Sequence, residues 1–144
     1  MALRTPRRRA REVALQALYA WQVAGGDAMA EARALEGWER CDQELAAALV
    51  RGVVAGAAGL EQRITPFIDR KFSALSPVER AILCIGTYEL AERRETPFRV
   101  VLNEAIELGK SFGGTDGYKY INGVLEKLAG VLRGEEFARA RKTA

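Results

Sequence analysis

Apolar residues recur along this chain with a period near 3.6, and the sequence predicts helices nearly throughout. Thr5-Pro6 reads as an N-cap followed by proline at the first helical position. The segment behind it carries Ala10, Ala14, Ala17, Leu18 and Trp21 on one stripe and stops at Gly25-Gly26. A weaker helix is expected over about 28–37. A third starts near Asp42, with Leu45, Leu49 and Val53 on one face, and its Gly52 and Gly56 mark tight packing or a bend. A fourth is expected over Leu60–Phe72, kinked or restarted by Thr65-Pro66.

Ser76-Pro77-Val78-Glu79 has the form of a capping box with proline at N1. It opens a helix whose core residues should be Ala81, Ile82, Ile85, Tyr88 and Leu90. Leu83 is expected in the core as well. Thr96-Pro97 should open the next helix, lined by Val101, Ala105 and Leu108 and ended by Gly113-Gly114. A last long helix should begin near Thr115. Its Asn122-Gly123 predicts a close helix–helix approach, since glycine inside a helix costs about 1 kcal/mol against alanine. The tail after Gly134 reads as a frayed helical turn. No segment alternates convincingly enough to be a strand. The expected fold class is therefore all-α: six or seven helices in two packed three-helix-bundle-like subdomains, with an arginine-rich N-terminal arm. The boundaries are 1–11 for the arm, 12–72 for the first subdomain and 73–144 for the second.

Charge changes this picture at one place. The net charge is only +3, but residues 1–11 hold five arginines and no acid. The remaining 17 basic residues face all 19 acids, a balance of −2. Arginine presents a planar fork of donors suited to phosphate, so the arm is a natural polyanion binder, against the plainer reading of a solubilising tail. Arg4, Arg7, Arg8 and Arg11 share one helical face, and that face continues into Leu15 and Leu18. Burying arginine unpaired is costly, so the arm is expected to project beyond the body and to stay disordered until a partner neutralises it.

Other features mostly exclude. The chain has no histidine, which removes the usual general base and the common nucleophile–histidine arrangements. Cys41 and Cys84 form no metal-binding spacing and read as small core residues. No phosphate-binding glycine motif occurs. No catalytic residue, cofactor or metal is expected. No run of about 18 apolar residues predicts a membrane span, and the basic start lacks a signal peptide's apolar block, so a cytoplasmic protein is expected.

Three blocks resemble a known family in order and spacing: RRRAREVALQALYAWQ, SPVERAILCIGTYEL and VVLNEAIELGKSFGGTDGYKYINGVLEKLA. They resemble the NusB family of transcription antitermination factors and span about residues 7–132. The stretch from about 25 to 70 matches mainly in length and helical character. The resemblance implies a non-enzymatic protein that binds the boxA element of nascent ribosomal RNA together with NusE, a ribosomal protein. Other Nus factors and RNA polymerase would complete the assembly. It implies RNA contact by Arg7, Arg8, Arg9 and Arg11, against a solvated tail. Lys119 and Tyr120 are implied as further RNA contacts. Tyr118 and Tyr120 lie about 200° apart on a helix, so both cannot face one ligand.

Tyr19, Glu79 and Asp116 fall at positions that resemble the family's partner-facing surface. Their plainer readings are a half-buried aromatic, a capping-box glutamate and a carboxylate favoured by a helix N-terminus. Such a domain also resembles the N-terminal region of certain ribosomal-RNA cytosine methyltransferases, which gives an RNA-delivery module as the alternative. At 144 residues the chain is not expected to carry the cofactor domain such enzymes need. A helix-turn-helix DNA binder would place its basic helix within the body rather than at the extreme N-terminus. A homodimer that hides the arm stays open.

Overall fold

The computed structural model describes residues 4–114 and 116–143. Among them lie seven α-helices and no strand: α1 (Pro6–Ala24), α2 (Ala28–Ala34), α3 (Gln43–Ile64), α4 (Pro77–Glu92), α5 (Phe98–Phe112), α6 (Gly117–Leu132) and α7 (Gly134–Thr143). Thr5 accepts the Arg8 N–H and Pro6 follows it, so α1 starts where local chemistry predicts. It ends at Gly25, which adopts φ 73°, a conformation most side chains avoid. Short 3₁₀ turns over Glu36–Arg40, Thr65–Phe67 and Phe72–Ala74 complete the connections.

Two segments depart from the sequence reading. The expected break near Leu60 is absent, and α3 runs unbroken to Ile64, burying Leu60 and Ile64 on the same side as Leu45, Leu49 and Val53. Thr65-Pro66 ends this helix instead of restarting it. The tail is a full helix rather than a frayed turn: Phe137 of α7 packs on Phe98 of α5, ring centroids 5.3 Å apart. The start expected at Thr115 lies outside the described residues.

Helix α4 is the axis of the fold, packing against α1 and α3 on one side and α5 and α6 on the other. Its apolar residues, Ala81, Ile82, Leu83, Ile85 and Leu90, are all buried, and Tyr88 is half-buried. Gly52 lets α3 approach α4, because a Cβ there would fall inside the Tyr88 ring. Gly123 has open space around its missing Cβ, so the expected close approach is not at that position. It occurs at Gly86, where a Cβ would meet Leu125 Cδ1 at 2.8 Å.

The segment Gln43–Phe67 reaches a mean hydropathy of 1.2, enough by length and composition to cross a membrane. About a third of its most apolar stretch is buried, where α3 packs along both α1 and α4. Cys84 is buried and Cys41 half-buried, and neither is in a disulfide. Burial pushes the Cys84 thiol up to about 12, which removes it from thiolate chemistry near neutral pH.

Candidate functional site

The arginine-rich start does not project as a free arm. From Pro6 onward it is the first turns of α1, laid against the body, and four of its five arginines hold carboxylates. Arg4 Nη1 pairs with Glu12 Oε1 at 2.9 Å, and Arg7 Nη1 with Asp42 Oδ2 at 3.6 Å. Arg8 donates from Nε and Nη2 to Glu104 Oε2, at 3.1 and 2.8 Å. Arg11 grips Glu89 with both arms of its fork: Nε to Oε2 at 2.9 Å and Nη2 to Oε1 at 2.8 Å. Its Nη1 reaches Glu104 Oε1 at 3.4 Å. Among the described residues Arg9 is the member of the run without such a pair.

Arg11 therefore corrects two expectations. Its side chain is 2% exposed and Glu89 is 1% exposed, so it cannot meet an RNA phosphate in this arrangement. The physical argument that sent it outward was the cost of burying an unpaired charge, and the charge is not unpaired. Burial works against the Arg11 charge, but the Glu89 bonds and the field of Glu104 outweigh it and hold the guanidinium above its ordinary value. The hydrogen bonds to Glu104 do the same for Arg8, which stays partly exposed.

The carboxylates Glu12, Glu89 and Glu104 are the site residues that sequence reasoning missed. Glu12, one helical face along from Arg4, was readable from spacing. Glu89 and Glu104 lie 78 and 93 residues from Arg11 and carry no local signal.

The second group forms at the start of α6. Asp116 and Lys119 are exposed and pair at 3.3 Å, one turn apart. Tyr120 is half-buried: its hydroxyl donates to Asp69 Oδ1 at 3.0 Å, and the Arg70 guanidinium lies 4.5 Å from its ring centre. One Tyr120 face is thus covered by Arg70. Those contacts, Arg70 first and the Tyr120 hydroxyl second, hold the Asp69 carboxyl below the usual carboxylate range. Tyr118 packs over Gly109, where a Cβ would sit 2.8 Å from the Tyr118 Cβ. Among the described residues no hydrogen bond or ion pair joins this group to the arginines of α1.

The third group lies at the seam between the end of α1 and the start of α4. Gln22 donates to the Pro77 carbonyl at 3.0 Å and accepts from Arg80 Nε at 2.9 Å. Tyr19, 44% exposed, stands one turn before Gln22. Glu79 is held in its capping box, accepting the Ser76 N–H at 3.1 Å. An open groove of about 760 Å³ runs along this seam, lined by residues that include Trp21, Gln22, Phe72 and Arg80. Among the described residues no group of three or more Cys, Asp or Glu side chains is placed to hold a metal ion.

The NusB family profile matches residues 8–130. A protein named transcription antitermination protein NusB from Dechloromonas aromatica is 51% identical, covering 98% of this chain and 88% of the relative. One of the same name from an Azoarcus species is 49% identical, covering 100% and 97%. Among solved structures, Thermotoga maritima NusB superposes with a TM-score of 0.82 at 28% identity, over 94% of this chain and 99% of that one. A complex described as antitermination factors NusB and NusE with dsRNA gives a TM-score of 0.75 at 23% identity, over 86% and 96%.

Proposed function

Because the chain belongs to the NusB family of transcription antitermination factors, which are not enzymes, we propose that it works by binding boxA-like single-stranded RNA together with NusE. The observation that carries this reading is the start of α1. Four arginine forks are held in fixed positions by carboxylates, and Arg7, Arg8 and Arg9 remain accessible while Arg11 anchors the helix beneath them. A phosphate replaces Asp42 or Glu104 at the exposed arginines, exchanging one anion for another with the fork already oriented. Lys119 and the open side of Tyr120 supply a second contact of the kind single-stranded RNA uses, a cation beside an aromatic ring. The seam bearing Tyr19 and Glu79, with Asp116 at the α6 start, is the NusE-facing surface. In the full assembly, in the cytoplasm, other Nus factors and RNA polymerase join. The relatives matched over 88% and 97% of their length are antitermination proteins, and nothing favours the methyltransferase-module alternative.

The test is a fluorescence titration of boxA-type RNA, with and without NusE, over a range of salt, against a scrambled RNA. With Arg11 buried, three arginines of the run remain to meet phosphates, and they should contribute about −2 to the log–log salt slope. Deleting residues 1–11 is a poor control, since it would strand Glu89. Arg7→Ala with Arg9→Ala is the cleaner one and should weaken boxA binding strongly and reduce the magnitude of the salt slope by about 1.4. Tyr19→Ala should leave binding of RNA alone intact and remove the gain from NusE. Equal affinity for scrambled RNA, indifferent to NusE, would reduce the site to a nonspecific polyanion binder.

A further inference from the structure

A cleft of about 300 Å³ lies beside α1, on the side facing the Glu36–Arg40 turn. It is lined by Arg4, Arg9, Glu12, Gln16, Glu36 and Arg40, with Val13 and Gly37 at its base. Gly37 makes this geometry: its missing Cβ would stand 3.3 Å from Val13 Cγ2, so the turn settles directly on α1. The consequence is that Arg40, remote in sequence from the arginine run, shares a cleft with Arg9.

The charges there are not balanced. Three arginines line the cleft against two carboxylates, and Glu12 is already bound to Arg4. Among the described residues neither Arg9 nor Arg40 has a carboxylate in ion-pair range. Two guanidiniums lining one cleft without an ion pair of their own, with Glu36 as the one carboxylate there that Arg4 does not hold, leave it net positive and suited to an anion. The Arg4, Arg7, Arg8 and Arg11 forks show the contrast, because each is neutralised from within. Gln16 stands exposed on the same wall with an amide that can both donate and accept.

We infer that this cleft is a phosphate seat for the backbone of the bound RNA, clamped between Arg9 and Arg40, with Gln16 facing the adjoining sugar or base edge. The inference rests on the RNA-binding reading above and extends it to residues outside the arginine run. It also extends the RNA path from α1 to the Glu36–Arg40 turn.

The experiment is an RNA titration of the full chain at several salt concentrations, comparing wild type, Arg40→Ala, Arg40→Glu and Arg63→Ala. Arg63 is a matched exposed arginine at the far end of α3, about 30 Å away by helix rise. Arg40→Ala should weaken boxA RNA about fivefold and reduce the magnitude of the salt slope by about 0.7, with Arg40→Glu weaker still and Arg63→Ala unchanged. Circular dichroism and urea midpoints equal to wild type should accompany each variant, since Arg40 is exposed. If wild type binds RNA and Arg40→Ala matches it in affinity and slope, the cleft is no seat although the RNA-binding reading stands. Equal losses in Arg40→Ala and Arg63→Ala would also overturn it, as a general charge effect. If wild type binds no RNA, both fall together.

Discussion

Two arginines, Arg11 and Arg133, are buried to the same degree and converge on the same residue from opposite ends of the chain, yet they are held by different chemistry. Arg11 meets the Glu89 carboxylate, charge against charge. Arg133, between α6 and α7, meets backbone instead: it donates to the carbonyls of Leu90 at 2.6 Å, Glu89 at 3.1 Å and Arg93 at 3.2 Å. Among the described residues the Leu90 carbonyl has no backbone donor, while those of Glu89 and Arg93 also accept the Arg93 and Thr96 N–H groups, and a cation is favoured at this end of α4 by the helix dipole. Only its outer nitrogen reaches an acid, Glu136 Oε1 at 2.7 Å. Removing a partner from the first site strands an ion in the interior. At the second it leaves an unpaired dipole, the Leu90 carbonyl, rather than an ion.

The largest expected effect follows from that asymmetry. Glu89→Leu leaves Arg11 buried with only Glu104, at 3.4 Å, to answer its charge. Losing one partner of a buried pair costs about 3 kcal/mol, and Arg11→Met should cost a similar amount by stranding Glu89. The double variant Arg11→Met/Glu89→Leu should recover most of this loss, because the desolvation of both ions disappears with them. Urea unfolding of the four proteins of this cycle decides the matter. Single losses below about 1 kcal/mol would mean that water or Glu104 already neutralises the site. The double variant should also keep its RNA affinity, since Arg11 serves the fold and its exposed neighbours serve the ligand.

Arg133→Met should cost less, about 2 kcal/mol, the price of leaving the buried Leu90 carbonyl without a donor. Arg133→Lys should rescue little of it, because an ammonium cannot reach three carbonyls in one plane as the fork does. Full rescue by lysine in the same urea measurement would show that charge near the helix end, rather than geometry, holds α7 in place.

These two arginines also mark where the sequence was legible. Helix limits were, because their causes are local: Thr5-Pro6, Gly25 and the Ser76 box act within a few residues. The accessible arginines were legible as charge. The fate of Arg11 was not, although its helical phase already placed it on the buried stripe, because the carboxylate that makes burial tolerable arrives from α4, 78 residues away. The tail was misread for the same reason. Its periodicity offers little beyond Phe137, and α7 is secured by Arg133 and Glu136, whose partners lie on α4 and α5. The close approach assigned to Gly123 belongs to Gly86, since a glycine shows where packing can be tight but not which neighbour comes.

The smallest effect concerns Glu136, the acid shared between the two ends of this device. Its Oε2 accepts the Phe98 N–H at 2.9 Å, capping α5, where the sequence alone had suggested Thr96. Burial pushes the Glu136 carboxyl up, but the Phe98 N–H and the Arg133 guanidinium outweigh that and hold it below the usual range. A carboxylate whose pKa is lowered by folding stabilises the fold fully above its unfolded pKa and loses that contribution as pH falls through its folded one. The stability gap between wild type and Glu136→Gln should therefore be constant above about pH 5 and shrink steadily below it. Urea midpoints of the two proteins from neutral pH downward measure this directly. A gap that persists unchanged into acid would show that the Glu136 contacts to Phe98 and Arg133 do not depend on its charge.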